Sequence, residues 1–217
     1  MAERQVQHLF LLILLLVGVE WIGQGEEFRQ GSYLGISTST WFWWSIAFPV
    51  IHQVWVVVCW RLELHHQWLS RTLGKGGFRI YAAGFAVFSA GRIYTVVALS
   101  IANQGTLPVD QRLLNSGALV IAIPTIYLFY SVARYFGFRR ALGADHFDRS
   151  YRDKPLVRKG IFRFTRNSMY TFGFGLIWLP GLLWASQAGL LSAAFSHLYI
   201  WVHYFCTELP DMRRIYG

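Results

Sequence analysis

The chain has 217 residues, of which 54% are hydrophobic, 18% are aromatic and only 14% are charged, and its mean hydropathy is +0.35. This composition leaves too little polar surface to cover a water-soluble globule of this length. The formal net charge of +9 would suit a nucleic-acid-binding protein, but the basic residues lie in two loops between apolar segments, and no aromatic-basic RNA motif occurs. We therefore predict a membrane protein whose acidic partners are anionic lipid headgroups, with no nucleic acid.

Six apolar segments approach the ~20 residues that a helix needs to span a bilayer. They predict an all-α protein, a polytopic transmembrane bundle of about six helices. The fifth segment is short and contains Pro180, and the turn SQAG follows it, so the last two helices should form a tight hairpin. In chain order the segments are residues 8–24, 40–62, 79–102, 114–136, 169–186 and 188–207.

Loop charges orient the predicted bundle, because cytoplasmic loops of membrane proteins carry an excess of Lys and Arg. Residues 61–79, after the second helix, carry four basic residues against Glu63. Residues 134–166 carry ten basic residues against three aspartates. We expect both segments to be cytoplasmic, which makes this a multi-pass integral membrane protein with cytoplasmic N- and C-termini.

Some polar groups lie within the apolar segments. Cys59 and Cys206 read as small core residues and not as a disulfide or zinc framework, and no metal site is predicted. Arg92 lies in the middle of the third helix, where an unpaired charge is costly, so it should face the bundle interior. Glu20 is a candidate ion-pair partner. A role for Arg92 in binding the polar head of a lipid substrate is the equal alternative.

Residues 160–173, GIFRFTRNSMYTFG, place arginines, a polar pair and a tyrosine where a basic loop meets an apolar helix. The stretch resembles the GPYxxxRHPMYxG signature of the integral-membrane methyltransferases, which include isoprenylcysteine carboxyl methyltransferase and phospholipid N-methyltransferases. The matching positions are Gly160, Phe162 (for tyrosine), Arg166, Met169 and Tyr170.

Two positions depart from this signature. Asn167 stands where the family has histidine, which removes a titratable imidazole, and Ser168 stands where it has proline, which should leave the backbone less rigid. Gly173 follows shortly afterwards and would permit the close approach of a ligand.

The last residues of the chain, TELPDMRRIYG, resemble the family's second signature, EExxLxxxFG. Glu208 matches the first glutamate and Leu209 replaces the second, while Met212 and Tyr216 take the leucine and phenylalanine positions. The resemblance extends from Tyr135 onward. It implies a division into residues 1–133, N-terminal helices where an acceptor gains access, and residues 134–217, a loop and helical hairpin that form the cofactor-binding catalytic region.

The resemblance implies S-adenosylmethionine as cofactor and S-adenosylhomocysteine as product. Such a cofactor needs an anion for its ammonium, which Glu208 offers, a cation for its carboxylate, which Arg166 or Arg163 offers, and an aromatic wall that also favours the sulfonium. Trp201, Tyr204 and Glu208 recur at helical spacing on one face. The candidate cofactor-binding residues are Gly160, Phe162, Arg163, Arg166, Asn167, Met169, Tyr170, Gly173, Trp201, Tyr204 and Glu208.

Methyl transfer requires alignment of the reactants and, for an amine or thiol acceptor, removal of a proton. A carboxylate acceptor is already ionised and needs only a cation beside it. For an amine or thiol acceptor, the candidate bases are His203, His197 and His146. We expect a membrane lipid or lipidated acceptor. The candidate catalytic residues are Arg166, Tyr170, Glu208 and His203, and the candidate substrate contacts are Arg92 and His146.

Two other functions fit parts of the sequence. The altered signatures are compatible with a noncatalytic relative that keeps the fold and binds lipid or a partner protein. The apolar helices also contain His52, His197 and His203, which are compatible with a membrane haem or electron-transfer protein.

Overall fold

The computed structural model describes residues 1–151, 153–165 and 167–217, and within these residues the chain is almost entirely helical. The predicted all-α fold is confirmed. A two-stranded antiparallel ribbon, β1 (Ser32–Tyr33) and β2 (Ile36–Ser37), precedes the second helix. The helices are α1 (Gln5–Ile22), α2 (Thr38–His66), α3 (Trp68–Leu73), α4 (Gly76–Ala102), α5 (Gln111–Ser131), α6 (Phe138–Ala141), α7 (Gly175–Leu183), α8 (Gln187–His203) and α9 (Leu209–Tyr216).

In the described part of the chain, α1, α2, α4 and α5 are long and apolar enough to cross a membrane. They coincide with the first four predicted segments. The last two apolar segments form the shorter helices α7 and α8, which the turn at residues 184–186 joins into the predicted hairpin. These helices are shorter than their apolar segments because a π-helical turn takes up part of each segment, Met169–Gly173 shortly before α7 and Tyr204–Glu208 directly after α8.

Small residues let α2 and α4 pack closely along their length. A side chain at Gly84 would collide with the Trp55 ring, and one at Gly91 would collide with the Phe48 ring. In a membrane, close packing of this kind supplies the van der Waals contact that holds helices together. The segment that connects α2 to α4 and the segment that connects α5 to α7 lie at the same end of the bundle. We call this end the basic end.

Asn103 ties together the opposite end of the bundle. Its side chain is fully buried at the end of α4. The amide Nδ2 donates to the carbonyl oxygens of Glu27 and Gln30, at 2.8 and 3.3 Å. The amide oxygen accepts from Ser186 Oγ and from the Ala188 backbone N–H, both at 3.0 Å. One side chain therefore connects the loop after α1 with the start of α8.

Arg92 faces the interior of the bundle, as predicted, and is only 6% exposed. Its Nη2 donates to the carbonyl oxygen of Pro49 at 3.4 Å, and its guanidinium lies 5.4 Å from the centre of the Phe174 ring. The predicted ion pair with Glu20 is wrong. Glu20 lies on the half-exposed surface of α1, 4.0 Å from Arg29, because the loop after α1 folds back beside it.

Replacement of Asn103 by alanine should lower the stability of the protein by about 3 kcal/mol, because it leaves several buried donors and acceptors without partners. Thermal unfolding in detergent measures the change. Gln104→Ala is the matched control, since Gln104 is the exposed neighbour. Equal melting temperatures for the two variants would contradict the role assigned to Asn103.

Candidate functional site

Three π-helical turns meet at the basic end of the bundle. They are residues Val132–Phe136 at the end of α5, Met169–Gly173 before α7 and Tyr204–Glu208 after α8. A π-helical turn inserts a residue into the helix and redirects the side chains around it, and such turns are frequent at functional sites. Each of the three contributes residues to the wall of one cavity.

The cavity has a volume of about 790 Å³. This lies within the range of roughly 300–1,000 Å³ that small-molecule sites occupy. Its wall is formed by the end of α5, by α6, by the segment before α7 and by the end of the chain from Tyr204 onward. These elements belong almost entirely to the C-terminal region that the signatures single out.

Aromatic rings cover much of this wall. The Tyr170 ring lies 5.3 Å from the Tyr204 ring and 5.8 Å from the Trp201 ring, centre to centre. On another side the Phe136 and Phe162 rings stack at 5.0 Å. Tyr170 therefore lies against the helix face that carries Trp201 and Tyr204. A cation in the cavity would meet several aromatic faces.

Glu208 lies in the cavity wall at the end of the third π-helical turn. Its Oε2 is shielded from solvent and has no hydrogen-bond partner among the described residues. Burial, followed by the neighbouring charges of Asp145 and Asp211, raises the pKa of the Glu208 carboxyl from 4.5 to about 8. This carboxyl is therefore largely protonated at neutral pH, and a cation placed beside it would favour its ionised form.

A buried ion pair lies behind the cavity. Arg61 Nε at the end of α2 lies 3.0 Å from Asp211 Oδ1 in α9, and both side chains are almost completely buried. His146 Nε2 lies 3.6 Å from the other Asp211 oxygen. The His146 ring stacks on Trp60 at 4.0 Å, and its Nδ1 lies 3.3 Å from the Gly143 carbonyl oxygen.

A second cluster of polar side chains lies in the cavity wall near the end of the chain. Tyr216 Oη donates to Asp145 Oδ2 at 2.7 Å and accepts from Arg140 Nη2 at 3.2 Å. Burial, reinforced by the Asp145 carboxylate, raises the pKa of Tyr216 to about 12, so this hydroxyl keeps its proton. Both polar groups dock α9 against elements that are distant in sequence.

Four polar residues of the site were not predicted from the sequence: Arg61, Asp211, Asp145 and Arg140. Asp211 lies within the C-terminal signature region, at a position for which the signature specifies no residue type. An ionisable residue beside the apolar end of a long helix, such as Arg61, was the available signal. Arg61 was counted only among the basic residues of the loop after the second predicted helix.

The candidate residues fall into three groups. The cavity is lined by Phe162, Arg163, Asn167, Met169, Tyr170, Tyr204, Glu208 and His146. The described cavity wall does not include Gly160, Gly173, Trp201, His203 or Arg92. Arg166 lies outside the described residues.

Several residues away from the wall still have defined positions. Gly160 has a φ of +60°, and a side chain there would lie 2.6 Å from Ser131 Oγ, so only glycine fits this turn. His203 is buried behind the cavity with its ring 5.8 Å from Trp60. His197 packs at the α7–α8 hairpin, where its Nδ1 accepts from Trp178 Nε1 at 3.1 Å.

The divergent position Ser168 is fully buried. Its hydroxyl donates towards the carbonyl oxygens of Thr165 and Ile161, at 2.7 and 3.2 Å. A proline would restrain this loop through its ring. Here the Ser168 hydroxyl contacts two carbonyl oxygens of the loop instead, and the expectation of a looser backbone at this position stays a prediction.

Residues 114–217 match the family described as phospholipid methyltransferase, over slightly less than half of the chain. The resemblance to the integral-membrane methyltransferases is confirmed. The phospholipid methyltransferase match includes all three π-helical turns and nearly the whole cavity wall, and Trp60 is the exception. No curated protein and no solved structure matches the chain.

The raised pKa of Glu208 has a consequence for stability. Between about pH 4.5 and pH 8 the folded protein holds this proton more tightly than the unfolded chain, so the contribution of Glu208 to stability falls as the pH rises through that window. Glu208→Gln, which stays neutral, should therefore melt a few degrees above the wild type at pH 8 and at nearly the same temperature at pH 5.

Thermal unfolding in detergent at the two pH values tests this prediction. Glu3→Gln is the control, because Glu3 is exposed. A Glu208→Gln protein that gains no stability at pH 8 would show that the carboxyl is already ionised or paired in the folded state.

Proposed function

We propose that the protein transfers a methyl group from S-adenosylmethionine to the polar head of a membrane lipid. The observation that carries the proposal is Glu208, a shielded carboxyl without a described partner, in an aromatic cavity within the region that matches the phospholipid methyltransferases. The excess of basic residues in the loops at this end supports a cytoplasmic orientation of the cavity.

The residues present fit the cofactor. The shielded Glu208 Oε2 suits the ammonium of its amino acid moiety, because the carboxyl gains an ionic partner when the ligand binds. Arg163 lines the cavity and suits the carboxylate, and we propose Arg166 for the same task on the resemblance alone. The rings of Tyr170 and Tyr204 suit the sulfonium. When bound, S-adenosylmethionine supplies an electrophilic methyl group.

The remaining work of the protein is orientation and exclusion of water. Methyl transfer is an in-line displacement at carbon, so a catalyst gains most by holding the two reactants in line. The stacked rings of Phe136 and Phe162 and the docked α9 helix make a rigid wall for this purpose. Met169, the first residue of the second π-helical turn, lines the cavity, and Asn167 adds a neutral amide that can hydrogen-bond in either direction.

The mouth of the cavity suits an amphiphile. Leu156 and Phe164 line the cavity, yet they are 57% and 64% exposed. Arg158 and Arg163 lie beside them and are also exposed. Apolar side chains suit an acyl chain and guanidinium groups suit a phosphate, so a phospholipid satisfies both. This arrangement favours a phospholipid over a lipidated peptide as the acceptor.

An amine acceptor must lose a proton before its nitrogen can attack a methyl carbon. Of the three candidate histidines, His146 is the one that lines the cavity. We propose that its imidazole takes this proton. The resulting imidazolium would be stabilised by the Asp211 carboxylate at 3.6 Å and by the Gly143 carbonyl. His203 and Arg92, which lie behind the wall, would then act on the site through the packing of α8 and α4.

The detergent-solubilised protein should bind S-adenosylhomocysteine, and Glu208→Gln should weaken this binding at least tenfold, because the ligand ammonium loses its anion. At pH 7 the wild type should release a proton on binding, since an ionised Glu208 is required, and its affinity should fall about tenfold per unit as the pH drops below 8.

Calorimetry in buffers of different ionisation enthalpy measures both the affinity and the proton release. Glu3→Gln is again the control. A wild-type protein that binds no S-adenosylhomocysteine would defeat the proposed cofactor. Binding without methylation of any lipid would instead support a noncatalytic relative.

With phosphatidylethanolamine vesicles, His146→Gln should lower kcat by roughly 100-fold and leave the KM for S-adenosylmethionine within about twofold, because only proton removal is lost. Transfer of a labelled methyl group to lipid, followed by mass spectrometry, provides the rate. His66→Gln is the matched control, an exposed histidine at the same end.

If His146→Gln transfers methyl groups as fast as the His66→Gln control, and that rate is substantial, His146 is excluded as the base. Transfer to a prenylated cysteine carboxylate in preference to the amine would exclude the proposed acceptor.

A further inference from the structure

The π-helical turn Tyr204–Glu208 receives hydrogen bonds from Arg4, which directly precedes α1, and from Gln5, the first residue of α1. Arg4 Nη1 donates to the Phe205 carbonyl oxygen at 3.1 Å. Gln5 Nε2 donates to the Cys206 carbonyl oxygen at 3.2 Å and lies 3.3 Å from Thr207 Oγ1. The chain segment immediately before Glu208 is therefore held by residues about two hundred positions away in sequence.

These contacts supply hydrogen-bond partners to backbone groups near the π-helical turn. An inserted residue disrupts the regular hydrogen-bond ladder of a helix, so nearby backbone groups take partners from elsewhere. Next to Gln5, the Thr207 carbonyl oxygen lies 3.4 Å from Arg61 Nη2, and Thr207 Oγ1 lies 3.5 Å from His8 Nδ1. Cys206 and Thr207 are both buried, so water does not readily supply these bonds.

Gln5 contacts the two residues that immediately precede Glu208. Its amide reaches both Cys206 and Thr207, whereas the exposed Arg4 donates to the more distant Phe205. A carboxyl that must meet a ligand ammonium needs a fixed backbone beneath it, because a displacement of about 1 Å can cost 100-fold in catalysis.

We propose that Gln5 is a positioning residue for the cofactor site, which aims Glu208 by fixing the π-helical turn. This inference rests on the proposed function, in which Glu208 holds the cofactor ammonium. Gln5 is not among the described residues that line the cavity, so the proposed role gives it no direct contact with either reactant. It acts through the backbone of Cys206 and the hydroxyl of Thr207.

The test compares Gln5→Glu with Gln7→Glu in the full-length, detergent-solubilised protein. Gln5→Glu keeps the shape of the side chain but removes its donor groups. Gln7→Glu makes the same chemical change two residues later on the exposed surface of α1. We expect Gln5→Glu to weaken binding of S-adenosylhomocysteine about tenfold and to raise the KM for S-adenosylmethionine more than it lowers kcat. Gln7→Glu should leave both unchanged.

Hydrogen exchange separates positioning from general damage. In Gln5→Glu the amides of residues 204–208 should exchange faster, while those of α2 and α4 keep the wild-type rates. Gln5→Ala, which adds no charge near Glu208, should show the same local change and the same loss of affinity. Exchange that accelerates throughout the bundle in both Gln5 variants would overturn the proposal in favour of a purely structural role.

Glu208→Gln distinguishes failure of this inference from failure of the proposed function. If the wild type binds S-adenosylhomocysteine and Glu208→Gln weakens binding, but Gln5→Glu behaves like Gln7→Glu, then only the positioning role is overturned. If the wild type does not bind, or Glu208→Gln binds normally, then the proposed cofactor site itself is wrong and the inference falls with it.

Discussion

The ion pair between Arg61 and Asp211 is the interaction on which the cavity depends. It joins the end of α2 to α9 and, together with the hydrogen bonds of Tyr216, docks the last residues of the chain against the site. Loss of one partner from a buried pair costs about 3–5 kcal/mol, because the other charge remains buried alone. The pair therefore fixes where α9 lies, and the position of α9 in turn gives Glu208 its low-dielectric surroundings.

The helical bundle was accessible from sequence, because a segment that crosses a membrane must be apolar along its whole length and must satisfy its own backbone. The signatures also led to Tyr170 and Glu208, and helical spacing along the last apolar segment led to Tyr204. All three residues line the cavity. The π-helical turns were not accessible in this way. Their position depends on partners from other helices, such as Gln5. Such long-range contacts cannot be predicted from the residue types within one segment.

Ser168 shows how a changed signature can keep its structural purpose. In the family pattern a proline ring restrains this loop, and here a buried hydroxyl restrains it through the carbonyl oxygens of Thr165 and Ile161. The substitution of histidine by Asn167 has a different character, because an amide cannot take up a proton at neutral pH. Proton removal from an acceptor then falls to a group elsewhere, and His146, which also lines the cavity, is the group proposed for it.

Leu156 and Phe164 form an exposed apolar rim at the mouth of the cavity. Such a rim gives a site access both to water and to membrane lipid. A water-soluble cofactor reaches such a site from the aqueous phase, while an acceptor with acyl chains arrives by lateral diffusion within one leaflet. The rate of an enzyme built in this way follows the mole fraction of acceptor in the surface and not its amount per volume. Dilution of the acceptor with inert lipid would slow it, whereas dilution of the vesicles with buffer would not.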